Sequence, residues 1–132
     1  MKLNITFVDL TIYENIFPLL PGYLQSYACK DENIKNSYKF QVYSTSVKTP
    51  PAKILQEISR FDSTVYAFSC YMWNMGLISS LLKSLLASKK NSYFILGGPQ
   101  VIGSAQRYLN SQHNNVVICN GDGERTFRDF LL

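Results

Sequence analysis

Two short runs of residues that are apolar almost throughout constrain the fold of this chain more than any other feature of its sequence. They are Thr64 to Ser69 and Tyr93 to Leu96. A strand with one solvated face alternates apolar and polar residues, whereas a strand of a parallel sheet that helices cover on both faces does not. The two runs therefore predict central strands of a covered parallel sheet.

Further strand and helix patterns surround these two runs. Other β-type segments are Leu3 to Leu10, Tyr38 to Tyr43 and Asn115 to Cys119. Apolar spacing predicts helices over 51–58, 74–88, 103–110 and 124–132, and over 13–28, which Pro18 and Pro21 should kink or divide. Alternation of strand and helix predicts one flavodoxin-like (Rossmann-like) α/β domain over residues 1–132, with a doubly wound five-stranded parallel sheet in the order 2-1-3-4-5.

Composition excludes several classes of function. The net charge is +4, but the lysines are spread over several predicted elements, so we expect no nucleic-acid partner. The three cysteines are widely separated and lack Cys-x-x-Cys spacing, which argues against a disulfide framework or a zinc site and favours a reducing, cytoplasmic setting. No segment reaches the roughly 20 apolar residues of a membrane span, so we expect no membrane association.

Ligands of such sheets bind beyond the carboxyl ends of the strands, so function is expected in the loops that follow them. The third strand is followed by Ser69-Cys70-Tyr71-Met72-Trp73-Asn74, which places the only tryptophan at this edge. These side chains suit a flat, largely apolar ligand. The alternative is that Trp73 plugs the end of the domain and Asn74 only caps the next helix.

Two glycine-containing loops follow the fourth and fifth strands. In Gly97-Gly98-Pro99-Gln100 the paired glycines allow a sharp turn and a close ligand approach, although a purely structural turn explains them as well. In Asn120-Gly121-Asp122-Gly123-Glu124 the two acidic residues disfavour a phosphate ligand and suit hydroxyl or amide donors.

These loops together carry a family resemblance. Gly-Gly-Pro-Gln followed by Gly-Asp-Gly-Glu-Arg-Thr-Phe-Arg-Asp-Phe-Leu resembles the Gly-Gly-Pro-His and Gly-Glu-Gly-Glu-x-Thr-Phe-x-x-Leu-Leu pair of a known domain. That domain is the N-terminal cobalamin-binding domain of cobalamin-dependent radical S-adenosylmethionine enzymes. The segment from Phe68 to Asn74 is similar to the Phe-Ser-x-Tyr-x-Trp-Asn string of some members.

The resemblance implies a cobalamin-binding module of a radical S-adenosylmethionine methyltransferase-type system. It places Ser69, Tyr71, Trp73 and Asn74 near the lower face of the corrin ring. Gly97, Gly98 and Pro99 would line the pocket for the nucleotide tail, and Gly121 and Gly123 would pass close to the tail or the corrin amides. Gln100 and Glu124 complete the implied cofactor-binding set, which includes no catalytic residue and no metal ligand.

Two departures from related patterns limit what this chain is expected to do alone. The Asp-x-His-x-x-Gly motif that ligates cobalt in methionine-synthase-type domains is absent, since the loop after the first strand reads Asp9-Leu10-Thr11-Ile12-Tyr13-Glu14. The sole histidine, His113, is expected at the surface, so cobalt would receive no histidine from this chain. The Cys-x-x-x-Cys-x-x-Cys spacing is also absent, so the iron–sulfur cluster and S-adenosylmethionine would belong to a missing domain or a partner protein.

Other functions remain compatible with the fold. A degenerate domain could retain the loops while acting as a structural or docking module. A receiver-type signalling domain would need an aspartate at the end of the third strand, where Ser69 and Cys70 stand. A flavin site would lack the Ser/Thr-rich phosphate loop after the first strand.

Overall fold

The fold is built on a parallel sheet. The computed structural model describes residues 2–12, 19–98, 115–119 and 123–132. For residues 19–23 and 123–124 it describes the backbone alone. Within these residues the strands are β1 (Leu3–Thr11), β2 (Tyr38–Ser46), β3 (Val65–Ser69), β4 (Tyr93–Gly97) and β5 (Val116–Ile118). They form one five-stranded sheet in the order β2-β1-β3-β4-β5, and every neighbouring pair is parallel. The predicted fold class and strand order are confirmed.

Helices cover both faces of this sheet. They are α1 (Leu19–Ala28), α2 (Glu32–Ser37), α3 (Pro51–Ser59), α4 (Met75–Ser88) and α5 (Gly123–Leu131). The α3 and α4 helices pack on one face, and α1, α2 and α5 pack on the other. The helix predicted over 103–110 lies outside the described residues. None of the helices in the described part of the chain is long and apolar enough to cross a membrane.

The central strand β3 is buried on both faces, which is why its sequence is apolar from Val65 to Phe68. Tyr66 stacks on Phe94 in the core under α3 and α4, with ring centroids 5.6 Å apart. Val65 and Ala67 point to the opposite core, under α1 and α5. There Phe127 of α5 packs on Phe7 of β1, with ring centroids 5.4 Å apart. Each face of the sheet therefore has its own apolar core.

The helical part of the β1–β2 connection differs from its prediction. Residues 13–18 lie outside the described residues, and α1 runs unbroken from Leu19 past Pro21. Pro21 therefore does not divide the described helix, and a kink at this residue stays a prediction. The short helix α2 was not predicted. Asp31 caps it, accepting hydrogen bonds from the backbone N–H groups of Asn33 at 2.9 Å and Ile34 at 3.4 Å.

The edge strand β2 is longer than its apolar pattern indicates. It was predicted to end at Tyr43, but it runs to Ser46 and pairs with β1 from Leu3↔Tyr38 to Thr11↔Ser46. Residues 44–46 are polar, so hydropathy does not predict this extension, which pairs with β1 through the backbone.

Candidate functional site

The loops after β3, β4 and β5 leave the sheet at one edge, which we call the carboxyl edge. The backbone N–H of Cys70 donates to the carbonyl oxygen of Gly97 at 2.6 Å. The backbone N–H of Cys119 donates to the carbonyl oxygen of Leu96 at 2.8 Å. The register of the strands thus continues into the loops, and the described parts of these loops begin side by side.

An aromatic pair projects from the loop after β3. The rings of Tyr71 and Trp73 stack with centroids 4.6 Å apart and an interplanar angle of 3°. Trp73 is 43% exposed and the neighbouring Met72 is 82% exposed. The alternative that Trp73 plugs the end of the domain is therefore wrong, because the loop instead presents an apolar surface to solvent.

Asn74 anchors this aromatic loop to the sheet. Its side chain is fully buried, and its Nδ2 donates to the carbonyl oxygens of Leu10 at 3.0 Å and Ser69 at 2.9 Å. Its Oδ1 accepts a hydrogen bond from the backbone N–H of Tyr71 at 2.8 Å. Asn74 occupies the N-cap position of α4, but its side chain makes no hydrogen bond to that helix. Its amide therefore orders the loop, and its predicted contact with a ligand stays a prediction.

Position 98 requires a glycine because the loop after β4 contacts the backbone of the loop after β3 at this point. Its φ is +111°, and a Cβ at this position would lie 2.4 Å from the carbonyl oxygen of Cys70. The obstacle is backbone, which cannot move aside as a flexible side chain can. The glycine thus permits a close approach of Gly98 to Cys70, and its predicted approach to a ligand stays a prediction. A Cβ on Gly97 would make an ordinary contact of 3.5 Å with Cys119.

Burial is the main cause of the shifted pKa values at the carboxyl edge. Burial raises the pKa of Asp9, near the end of β1, above its usual value. Burial also raises the pKa of Tyr71, and the negative charge of Asp9 raises it further. The thiols of Cys70 and Cys119 have pKa values raised by burial to about 12 and about 11, so both are protonated at neutral pH.

Sequence reasoning did not select Asp9 as a site residue. The available signal was a carboxylate within the otherwise apolar run Phe7-Val8-Asp9-Leu10, close to the carboxyl end of a strand. Such a position brings a charge to the place where ligands of this fold bind.

The predicted site residues fall into three groups, and His113, which was expected at the surface and not in the site, lies outside the described residues with the third group. The residues that the structure brings together at the carboxyl edge are Ser69, Tyr71, Trp73, Asn74, Gly97 and Gly98. The backbone of Gly123 and Glu124 lies in the first turn of α5. Pro99, Gln100 and Gly121 lie outside the described residues.

Comparison with known proteins identifies related chains that are much longer. The chain is 31% identical over 128 residues to the cobalamin-dependent radical SAM methyltransferase TokK of Streptomyces tokunonensis, covering 97% of this chain and 18% of the relative. It is 26% identical over 121 residues to the 2-(S-pantetheinyl)-carbapenam-3-carboxylate methyltransferase of Streptantibioticus cattleyicolor, covering 87% and 16%. The chain therefore spans less than a fifth of the length of these curated relatives.

Solved structures share the fold. The cobalamin-dependent S-adenosylmethionine radical enzyme OxsB, with aqua-cobalamin and S-adenosylmethionine bound, superposes with a TM-score of 0.77 at 21% identity, over 98% of this chain and 18% of that one. A cobalamin-binding protein from Desulfitobacterium hafniense DCB-2 gives a TM-score of 0.58 at 12% identity, over 98% of this chain and 55% of that one.

The family description that matches is the B12 binding domain, over residues 33–131. The matched range includes β2 to α5 and the segments that follow β3, β4 and β5 in the sequence. This chain therefore belongs to the B12-binding domain family.

Proposed function

We propose that this chain binds cobalamin over its carboxyl edge and serves a radical S-adenosylmethionine methyltransferase whose iron–sulfur domain lies elsewhere. The observation that carries the proposal is the solvent-exposed stack of Trp73 on Tyr71, beside the Gly97-Gly98 turn, in a chain of the B12-binding family. The sequence resemblance had implied the same cofactor.

The residues at the edge fit this cofactor. Cobalamin has a broad, nearly planar macrocycle, and the exposed surfaces of Trp73 and Met72 offer an apolar platform of the kind that binds such a ring. Trp73 and Tyr71 would hold the lower face of the corrin. Gly97, Gly98 and Pro99 would border the nucleotide tail, and Gly121 and Gly123 would pass close to the tail or the corrin amides. Gln100 and Glu124 would complete the cofactor-binding set. When bound, cobalamin supplies a cobalt centre able to carry a methyl group.

The lengths of the relatives support a separate location for the radical chemistry. TokK is a cobalamin-dependent radical SAM methyltransferase of which this chain matches only 18% of the length. We infer that the radical step, its cluster and S-adenosylmethionine belong to another domain or protein, and that this chain alone is not catalytic. We also infer that cobalt receives no histidine from this chain. The three cysteines are free thiols, which supports a reducing, cytoplasmic setting.

A binding experiment tests the proposal. Purified chain is mixed with hydroxocobalamin, passed through a desalting column and examined by absorption spectroscopy. We expect retained colour, a base-off-like spectrum and quenching of the fluorescence of Trp73, the only tryptophan. A colourless protein with unquenched Trp73 would overturn cobalamin binding and favour a structural or docking domain.

A pair of variants separates specific from general binding. Trp73→Ala should weaken retention about tenfold or more, because it removes the platform under the ring. Tyr93→Ala is the matched control, since Tyr93 is 46% exposed against 43% for Trp73 but begins β4 at the opposite end of the sheet. Equal weakening by both changes would contradict a site at the carboxyl edge.

A further inference from the structure

A row of small or polar residues crosses the sheet next to the site. Register pairs Ser44 of β2 with Asp9 of β1, and Ser69 of β3 with Gly97 of β4. The β1–β3 register places Asp9 beside Ser69, one step beyond the last recorded pair, Val8↔Phe68. We call Ser44, Asp9, Ser69 and Gly97 the polar row.

The polar row faces α1 and α5. Side chains alternate between the faces of a strand, and Phe7, Ala67 and Ile95 pack in the core under these two helices. Asp9, Ser69 and Gly97 each follow one of these residues by two positions and so lie on the same face. The apolar core therefore ends at the carboxyl edge in a strip with hydrogen-bonding groups and little side-chain bulk.

Asp9 is the charged member of this row and lies near the end of β1. Its side chain is half-buried, and it makes no hydrogen bond or ion pair with any described residue. Burial without a partner disfavours the charged carboxylate, which accounts for its raised pKa. The negative charge of Asp9 also raises the pKa of Tyr71, whose ring lies against Trp73. The described part of the chain thus places a half-buried acceptor beside the aromatic pair, and no described residue pairs with it.

We propose that the Asp9 carboxylate is a recognition group that accepts a hydrogen bond from a neutral N–H or O–H donor of the bound corrinoid. The inference rests on the proposed function. A carboxylate repels the phosphate of the nucleotide tail, which leaves two kinds of donor, the side-chain amides of the corrin and the ribose hydroxyl of the tail. A hydrogen bond to an ionised acceptor is about twice as strong as one between neutral groups, so it would offset the cost of burying Asp9.

The test compares Asp9→Asn with wild type, using fluorescence quenching of Trp73 to measure affinity for hydroxocobalamin and for dicyanocobinamide, which lacks the nucleotide tail. Asn keeps the shape and removes the charge, so we expect affinity for hydroxocobalamin to fall about 10- to 100-fold. If cobinamide binding falls equally, the donor is a corrin amide. If only hydroxocobalamin binding falls, the donor is the ribose hydroxyl.

Controls separate recognition from folding. Because Asp9→Asn removes an unpaired, partly buried charge, its Tm should be equal to or higher than that of wild type, unlike a change that merely damages the fold. Asp62→Asn, at an exposed aspartate near the opposite edge, should leave both affinities unchanged. Wild-type affinities retained in Asp9→Asn would overturn this inference alone, whereas a wild-type chain that binds neither corrinoid would overturn the proposed function with it.

Discussion

The side-chain amide of Asn74 donates a hydrogen bond to the carbonyl oxygen of Leu10 at 3.0 Å, joining the end of β1 to the loop that carries Trp73. The two residues are 64 positions apart in the sequence. The orientation of the aromatic pair therefore depends on a contact between β1 and the loop that follows β3, and a change at Asn74 should alter the fluorescence of Trp73.

Replacing Asn74 with alanine should lower stability and disturb the aromatic loop. The change leaves the N–H of Tyr71 and the carbonyl oxygen of Leu10 without their partner, so the free energy of unfolding should fall by about 2–3 kcal/mol in urea titration. The emission of Trp73 should shift as its stacking loosens. The control Asn91→Ala, at an exposed turn, should stay within about 0.5 kcal/mol of wild type. Unchanged stability and emission in Asn74→Ala would contradict its anchoring role.

Replacing Gly98 with alanine should destabilise the protein without any ligand present. The new Cβ meets the backbone of Cys70 at 2.4 Å and the φ of +111° is strained for alanine, so we expect a loss of about 2 kcal/mol or more. Gly76→Ala is the matched control, because no atom lies within 4 Å of its Cβ position in α4. That change should raise stability by up to about 1 kcal/mol. A Gly98→Ala protein as stable as wild type would show that the two loops do not touch in this way.

The three cysteines should differ sharply in reactivity. Cys29 is half-buried, whereas Cys70 and Cys119 are buried with thiol pKa values raised to about 12 and about 11. Because the thiolate is the reactive form, iodoacetamide at pH 8 should modify Cys29 first and leave the other two unmodified in the folded protein. Mass spectrometry with and without urea measures this. Rapid native labelling of Cys70 would contradict its burial.

Replacing Phe127 with alanine should release α5 from the sheet. The Phe127 ring is 2% exposed and packs on Phe7, so the loss of buried area and the resulting cavity should cost about 3–5 kcal/mol. Leu132→Ala, at a side chain that is 65% exposed, should change stability by less than about 0.5 kcal/mol. Thermal unfolding followed by circular dichroism compares them, and similar Tm values for both variants would argue against the docking of α5.

The pattern of apolar residues was enough to predict the sheet. The apolar runs that became β3 and β4 are buried on both faces, and the stripe over 74–88 became α4 with one displaced residue, Asn74, at its N-cap. These elements were predictable because the spacing of apolar residues along a strand or helix reflects which of its faces are buried. The helix α2 was missed because Ile34 is its only buried residue. The polar end of β2 was missed because backbone pairing leaves no signal in hydropathy.

The sequence alone determined the layers, the strand order and the loops that lie at the carboxyl edge, because burial and turn preference are properties of neighbouring residues. Only the tertiary structure decided how those loops are held. The contact of Gly98 with Cys70 and the hydrogen bond from Asn74 to Leu10 each join segments that are far apart in the sequence. Such contacts arise when the sheet assembles and brings distant backbone groups within hydrogen-bonding or van der Waals distance, so no local pattern encodes them.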